Sequence, residues 1–250
     1  MAGSRTYRTR ALVLAKTKLK ETDLILTLLD ETGRQIRAVA KGARKPGARL
    51  AARCELFCTV DLLLAHGRNL DVISQAELLS APLGAASSLP ALTAASVITE
   101  IARLASFEDA EDPFVFAIAC RALELAGECA EDEPHLDVLV AAYIFKMLSH
   151  IGYRPVCDGC VACGDAALSH FSASAGGLLC ASCAATVPGA EPIEPAVVAW
   201  LRSLIGLRFD ELVLAPVDRF MASLLLAHAH AWAATHLDCR LRSLEFMLGR

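Results

Sequence analysis

Features that would assign this sequence to a familiar enzyme class are missing from it. Aromatic residues make up only 6% of the 250 residues, and the first 80 contain just Tyr7 and Phe57. No Gly-x-Gly-x-x-Gly, Gly-x-x-x-x-Gly-Lys-Ser/Thr or His-Glu-x-x-His pattern occurs, which argues against the common dinucleotide, nucleotide triphosphate and zinc-protease sites. No two carboxylates can be paired as an acid/base couple. We therefore expect a binding protein and not an enzyme.

Signals for export or membrane insertion are also lacking. Residues 1–10 are polar and basic without an apolar core, so we expect no secretory signal. The run most suggestive of a membrane span, residues 220–237, has no formal charge but contains His228, His230 and His236, which favours a buried helix over a span. We expect a cytoplasmic protein with no membrane partner. Its ten cysteines would then be reduced or bound to metal.

Positive charge is scarce overall but concentrated at one end. The net charge is −4, yet residues 1–50 hold twelve of the 24 Lys and Arg residues and only four of the 28 acids. Such asymmetry predicts a polyanionic partner for the N-terminal part. The alternative is a solvated basic face with no partner.

Alternating apolar residues and turn signals predict β structure in the first 80 residues. Five short strands are expected in a small barrel or sandwich, at residues 7–14, 24–29, 35–41, 55–64 and 70–78. Beyond residue 80 the apolar residues recur at helical spacing, which predicts helices at 92–105, 114–125, 136–151, 193–205 and 217–236. The sequence thus predicts an α+β protein with a β domain at 1–80 and a helical domain at 81–250.

Four cysteines form the strongest local motif. Cys160 and Cys163 make one Cys-x-x-Cys pair, and Cys180 and Cys183 make a second, with sixteen residues between the pairs. Pairs at this spacing can hold one Zn²⁺ tetrahedrally in a closed, structural site. Gly164 permits the bend after the first pair. We expect a zinc module at about residues 155–190.

Spacing alone leaves one alternative ligand open. Cys157 and Cys160 also form a Cys-x-x-Cys pair at an acceptable distance from Cys180. Gly164 favours Cys160 and Cys163, with Cys157 as a spare thiol or replacement ligand. Four reduced core cysteines without metal are the simpler alternative.

The basic residues lie where a barrel could present them to a nucleic-acid backbone. We place Lys16, Lys18 and Lys20 in a loop after the first strand, and Lys41, Arg44, Lys45 and Arg49 in a loop after the third. Arg34 and Arg37 complete the candidate nucleic-acid-binding set. Because aromatic residues are few, binding should depend on charge more than on stacking.

Several segments together resemble the RecO family of recombination mediators. They include residues 7–14 (YRTRALVL), Glu21-Thr22-Asp23, residues 38–44 (AVAKGAR) and Gly152-Tyr153-Arg154-Pro155. The resemblance continues through Cys160-Val161-Ala162-Cys163-Gly164, residues 176–180 and Arg240-Leu241-Arg242-Ser243. It spans nearly the whole chain, although Cys157 stands where the family usually has an apolar residue.

The resemblance implies an N-terminal OB-fold followed by a helical domain with an embedded four-cysteine zinc site. It also implies a bacterial role in DNA repair and recombination, with the protein associated with the nucleoid when it acts. Members bind single-stranded and double-stranded DNA, anneal complementary strands and, with RecR, help load RecA onto DNA covered by single-strand-binding protein. Two other hypotheses remain: a zinc-bearing RNA-binding module, which would prefer RNA, and a thiol oxidoreductase, which would turn over a dithiol without binding nucleic acid.

Overall fold

The structure is a computed structural model that describes residues 6–84 and 88–249. Its first part is a closed barrel of β1 (Thr6–Leu19), β2 (Asp23–Asp30), β3 (Gln35–Ala40), β4 (Thr59–Ala65) and β5 (Asp71–Ser80). A short helix, α1 (Arg49–Arg53), lies between β3 and β4. The strand order is β1-β2-β3-β5-β4, with β4 pairing back onto β1. This is the five-stranded OB-fold barrel.

Strand β1 is longer than the sequence predicts because it serves two partners. Its first half pairs with β4, from Thr6 opposite Ala65 to Leu12 opposite Thr59. Its second half pairs with β2 as far as Leu19 opposite Asp23. Lys16 and Lys18 therefore lie within β1, and their placement in a loop was wrong. The pattern of apolar residues does not reveal this, because the second half of β1 alternates polar residues with small or half-buried ones.

Two other predictions about the β domain are corrected. Arg49 begins α1 and is not a loop residue. Residues 55–58 do not belong to the fourth strand, because Phe57 has a left-handed φ of 69° and Cys58 donates its amide to the Glu55 carbonyl in a turn. A left-handed residue of this size cannot continue a strand.

The barrel interior follows the alternation in the sequence. In β4, Val60, Leu62 and Leu64 point inward and are fully buried, while the residues between them are half-exposed. Ala11 and Val13 of β1 and Ala38 of β3 pack in the same core. Burying these apolar side chains is what stabilises the closed sheet.

The rest of the chain is mainly helical. The long helices are α2 (Leu89–Ala105), α3 (Pro113–Glu128), α4 (Glu133–His150), α6 (Pro195–Gly206) and α8 (Arg219–His236), and the short ones are α5 (Ala181–Ala184), α7 (Phe209–Leu212) and α9 (Arg242–Leu248). Three short strands, β6 (His170–Ser172), β7 (Gly177–Leu179) and β8 (Glu191–Pro192), form a separate sheet ordered β7-β6-β8. The predicted fold class is confirmed.

Helix α4 is the centre of the helical core. Pro134 lies in its first turn, and the Asp132 side chain caps it by accepting from the His135 amide. Tyr143 and Phe145 are fully buried in its middle. Helix α8 packs along α4.

Among the described residues, none of the helices has both the length and the apolar character needed to span a membrane.

The chain groups by internal contacts into two compact units. One unit contains residues 1–87 and 98–128, and the other contains 88–97 and 129–250. Helix α2 thus contributes residues to both. The domain boundary at residues 80 and 81 stays a prediction.

Candidate metal centre and nucleic-acid interface

The four paired cysteines lie on two turns of one small module. Cys160 and Cys163 precede β6, Cys180 follows β7 directly, and Cys183 lies within α5. Antiparallel pairing of Phe171 with Leu178 brings the two cysteine pairs to the same end of the hairpin. A turn at residues 173–176 connects β6 to β7, and Gly177 begins β7.

The four sulfurs form one cluster. All lie within 4.8 Å of one another, and the Cys163 and Cys180 sulfurs are 3.8 Å apart. Ligand sulfurs of a tetrahedral zinc ion are separated by about 3.8 Å, given Zn–S bonds of about 2.3 Å. The geometry therefore fits a single metal ion.

Backbone amides prepare the cluster for negative charge. Amides of Cys180, Cys163 and Ala162 bond to the Cys160 sulfur and lower the pKa of that thiol to about 6. Hydrogen bonds to the Cys163, Cys180 and Cys160 sulfurs instead raise the pKa of Cys183 to about 12. Four thiolates so close together need a cation between them, since their charges repel.

Two glycines allow the tight backbone around the cluster. Gly164 has φ of 80°, and its amide donates to the Cys160 carbonyl over 2.8 Å to close the first turn. Gly177 has φ of 148°, and a Cβ there would lie 2.2 Å from the Val156 carbonyl oxygen. A side chain at Gly177 would therefore push the hairpin off the segment that leaves α4.

Cys157 does not join the cluster. It is buried, and burial raises the pKa of its thiol to about 11. Its carbonyl accepts a hydrogen bond from Arg202 Nε at 2.9 Å, which fixes this part of the chain against α6. The structure thus groups Cys160, Cys163, Cys180 and Cys183 and leaves Cys157 outside.

Aromatic packing anchors the cysteine module on α8. Phe171 of β6 is buried and meets His228 edge-on, with ring centroids 5.0 Å apart. It also contacts Trp232, whose indole nitrogen donates to the Tyr153 carbonyl at 3.1 Å. Loss of order in the module would therefore disturb the packing of α8 in the helical core.

A second group of side chains forms a basic surface on the barrel. Arg44 donates to the Glu21 carbonyl at 3.0 Å, and its amide donates to the Thr22 carbonyl at 2.8 Å. Asp23 accepts the Gly42 amide at 2.7 Å, which is the main reason the pKa of its carboxyl is lowered. These bonds hold the β1–β2 turn against the loop after β3. We call the exposed cations there, Lys18, Lys20, Lys41, Arg44 and Lys45, the lysine-rich surface.

The remaining predicted basic residues lie elsewhere. Lys16 pairs with Glu55 at 2.7 Å and keeps only 16% of its side chain exposed, so it is poorly placed for phosphate contact. Arg49 is exposed at the start of α1. Arg34 and Arg37 lie away from the lysine-rich surface and line a cavity near the β4–β5 turn.

Sequence reasoning missed His66 in that turn. Its ring stacks on Tyr7 with centroids 4.7 Å apart and an interplanar angle of 24°. Residues 66–69 lie between the fourth and fifth predicted strands, and nothing in their local pattern signals that Tyr7 lies opposite. Only the pairing of β1 with β4 brings the two rings together.

The chain begins with an OB-fold barrel that has a cationic surface, and the helices after it carry a four-cysteine cluster. Together these features define a class of nucleic-acid-associated proteins with a candidate metal site. Family models described as Recombination protein O N terminal and Recombination protein O C terminal match residues 1–82 and 86–245. The chain belongs to the RecO family of DNA repair proteins.

Relatives named DNA repair protein RecO match along most of their length. The protein of Bifidobacterium longum (strain NCC 2705) is 35% identical over 245 residues, covering 96% of this chain and 98% of the relative. That of Nocardioides sp. (strain ATCC BAA-499 / JS614) is 36% identical over 252 residues with the same coverage. That of Cutibacterium acnes is 37% identical over 206 residues, or 80% of this chain and 82% of the relative.

Proposed function

We propose that this protein binds single-stranded DNA on its barrel, anneals complementary strands and acts as a recombination mediator. In this role it would work with RecR to help load RecA onto DNA covered by single-strand-binding protein, and it would also contact double-stranded DNA. The observation that carries the proposal is the lysine-rich surface on a closed OB-fold. In this fold, the β2–β3 face and the loops around it bind oligonucleotides.

The lysine-rich surface suits a phosphate backbone. Lys18, Lys20, Lys41 and Lys45 are exposed, and no described residue forms an ion pair with them. Long flexible cations of this kind neutralise phosphates without being buried, and they release counterions as they do so. Arg44 adds charge while it holds the two segments together.

We further propose that Cys160, Cys163, Cys180 and Cys183 hold one structural zinc ion. A metal bound by four thiolates keeps no open position for substrate, so it would stabilise the module and take no part in chemistry. On this proposal residues 1–80 form the DNA-binding domain, and residues 81–250 form a helical domain available to protein partners.

Strand annealing tests the proposal directly. Two complementary oligonucleotides, one carrying a fluorophore and the other a quencher, are mixed with and without single-strand-binding protein. We expect the protein to accelerate annealing of bare strands and to retain acceleration on covered strands. No acceleration in either case would refute the annealing role, and equal or tighter binding of RNA would favour an RNA-binding module instead.

A further inference from the structure

One carboxylate fixes a stacked pair of rings at the β4–β5 turn. The Tyr7 hydroxyl donates to Asp71 Oδ2 at 2.5 Å, and His66 Nδ1 lies 3.5 Å from Asp71 Oδ1. The Gly67 amide also donates to Asp71 Oδ1, at 3.2 Å. Tyr7 and His66 are therefore held face to face by a single acidic residue and the turn that carries it.

The outer ring of this pair is open to solvent. Tyr7 is half-buried, whereas 62% of the His66 side chain is exposed. An exposed imidazole that is already fixed on one face can accept another flat ring on its other face. Immobilising such a ring in advance reduces the entropy lost when a ligand stacks on it.

The rings border a cavity of about 240 Å³, which is also lined by Arg34, Arg37 and Asn69. Its volume is below the range of about 300–1,000 Å³ that suits drug-sized ligands, so it would accommodate one small ring system. Arg34 is partly engaged by Asp30, 3.7 Å away. Arg37 and Asn69 are exposed, and Arg37 forms no ion pair within the described residues.

Strand pairing places the cavity on the surface where an OB-fold binds nucleic acid. Strand β3 pairs in parallel with β5, with Ala38 opposite Asp71, so the β4–β5 turn lies beside β3. In OB-folds the bound strand crosses the β2–β3 face between the β1–β2 and β4–β5 loops. The lysine-rich surface includes the first of these loops, and the cavity lies at the second.

We propose that the cavity is a nucleobase subsite in which one base of a single strand stacks on His66. Arg37 would contact the adjoining phosphate, and the Asn69 carboxamide would reach the edge of the base. The subsite rests on the proposed binding of single-stranded DNA and adds to it a contact that charge alone does not provide.

The charges in the cavity favour a neutral flat ring over an anion. Asp71 and Glu108 line it together with the two arginines, so a phosphate placed inside would meet carboxylates as well as cations. A base is uncharged and planar, and stacking of bases on aromatic or histidine side chains is a common mode of single-strand recognition. The phosphate then remains outside, at exposed Arg37.

Fluorescence of 2-aminopurine tests the subsite. With an oligonucleotide carrying this base at each position in turn, binding to the full-length protein should quench emission at a position that stacks. His66→Ala should abolish that quenching and weaken affinity about five- to tenfold, the lower part of the range for one stacked base. His66→Phe should keep affinity within about twofold, because it restores a flat ring.

An abasic oligonucleotide supplies the matched control. Removing the stacked base should weaken wild-type binding about as much as His66→Ala does, and the variant should bind abasic and intact strands equally. Because His66 is exposed, its substitution should leave the thermal midpoint unchanged. If the midpoint falls, the wild-type comparison of abasic with intact strands decides. His150→Ala, an exposed histidine in the other unit, should behave as wild type.

The outcomes separate this proposal from the broader one. If wild-type protein fails to bind single strands even at low salt, the proposed function and the subsite are both overturned. If it binds and anneals them, but neither His66→Ala nor the abasic strand alters affinity or quenching, only the subsite is overturned.

Discussion

Arg44 donates from its guanidinium to the Glu21 carbonyl oxygen over 3.0 Å, which joins two basic segments that are far apart in sequence. The bond makes the β1–β2 turn and the loop after β3 one continuous cationic surface. Arg44 is therefore a poor choice for removing charge alone, since its loss would also remove one of the bonds that hold the turn against the loop. The lysines around it can be replaced without that effect.

Replacing Lys20, Lys41 and Lys45 together by Gln should weaken binding of single-stranded DNA about equally for all sequences. Each lost phosphate contact lowers the slope of log affinity against log salt by about 0.7, so the triple variant should flatten it by about 2. Fluorescence anisotropy over a salt series measures this. The matched control is Lys16→Gln, which should barely alter the slope because Lys16 already pairs with Glu55. An unchanged slope in the triple variant would rule out the lysine-rich surface as the DNA contact.

Cys183→Ser should reduce zinc content from about one ion per chain to a small fraction, because it removes one of four thiolate ligands. It should also lower the thermal stability of the unit formed by residues 88–97 and 129–250, which we call the helical unit, since binding of a structural metal contributes directly to folding. Elemental analysis of protein purified without chelators measures the metal. Cys157→Ala should retain it, because this thiol lies outside the cluster. Loss of metal from Cys157→Ala would mean that the ligands are wrongly assigned.

Phe171→Ala should destabilise the protein by about 3–5 kcal/mol, the usual loss for a buried phenylalanine. The side chain is buried between the cysteine module and α8, and its ring contacts His228 and Trp232. Urea unfolding followed by tryptophan fluorescence measures the loss. Phe220→Ala is the control, because 78% of Phe220 is exposed and its truncation should change stability by less than about 0.5 kcal/mol. Equal effects of the two substitutions would contradict the packing described.

Acidification should destabilise the helical unit in part through His228. Burial lowers the pKa of this histidine and outweighs its attraction to Glu191. The unfolded chain therefore takes up the proton more readily, so stability is retained above the ordinary pKa of about 6.5 and decreases as the pH falls below it. One such group contributes at most about 1.4 kcal/mol per pH unit.

His228→Phe should remove that contribution while keeping a ring against Phe171. Urea unfolding at about pH 7.5 and about pH 5.5, in buffer supplemented with zinc, should show a smaller difference for the variant than for wild type. The same pH dependence in both proteins would assign the acid sensitivity to other groups.

The sequence carries strong information where burial or spacing repeats. Val60, Leu62 and Leu64 alternate in β4 because one face of the strand lines the barrel core, and that pattern alone places the strand. Cys160, Cys163, Cys180 and Cys183 could be grouped because each pair is local and only one hairpin need connect them. The five long helices were also predictable, although most extend a few residues further than their apolar stripes.

What could not be predicted depends on contacts between distant segments. Lys16 looks like a loop cation in the sequence, and only its place in β1 brings it to Glu55. His66 looks like a turn residue until β4 pairs with β1 and sets it on Tyr7. Arg44 gives no local sign that it will bond to the carbonyls of another turn. Each is a tertiary relationship without a period or a motif.

Lys20 has a left-handed backbone, with φ of 55°. At this position the residue that favours stability of the fold differs from the residue that favours affinity for DNA. Glycine is the residue that adopts this conformation without strain, and a side chain there costs roughly 1 kcal/mol. Lys20→Gly would thus relax the β1–β2 turn and make the fold more resistant to heat, while it removes a cation from the lysine-rich surface. If the lysine-rich surface contacts DNA as proposed, a more stable variant at this turn would be a weaker binder, and selection for thermal tolerance alone would reduce that contact.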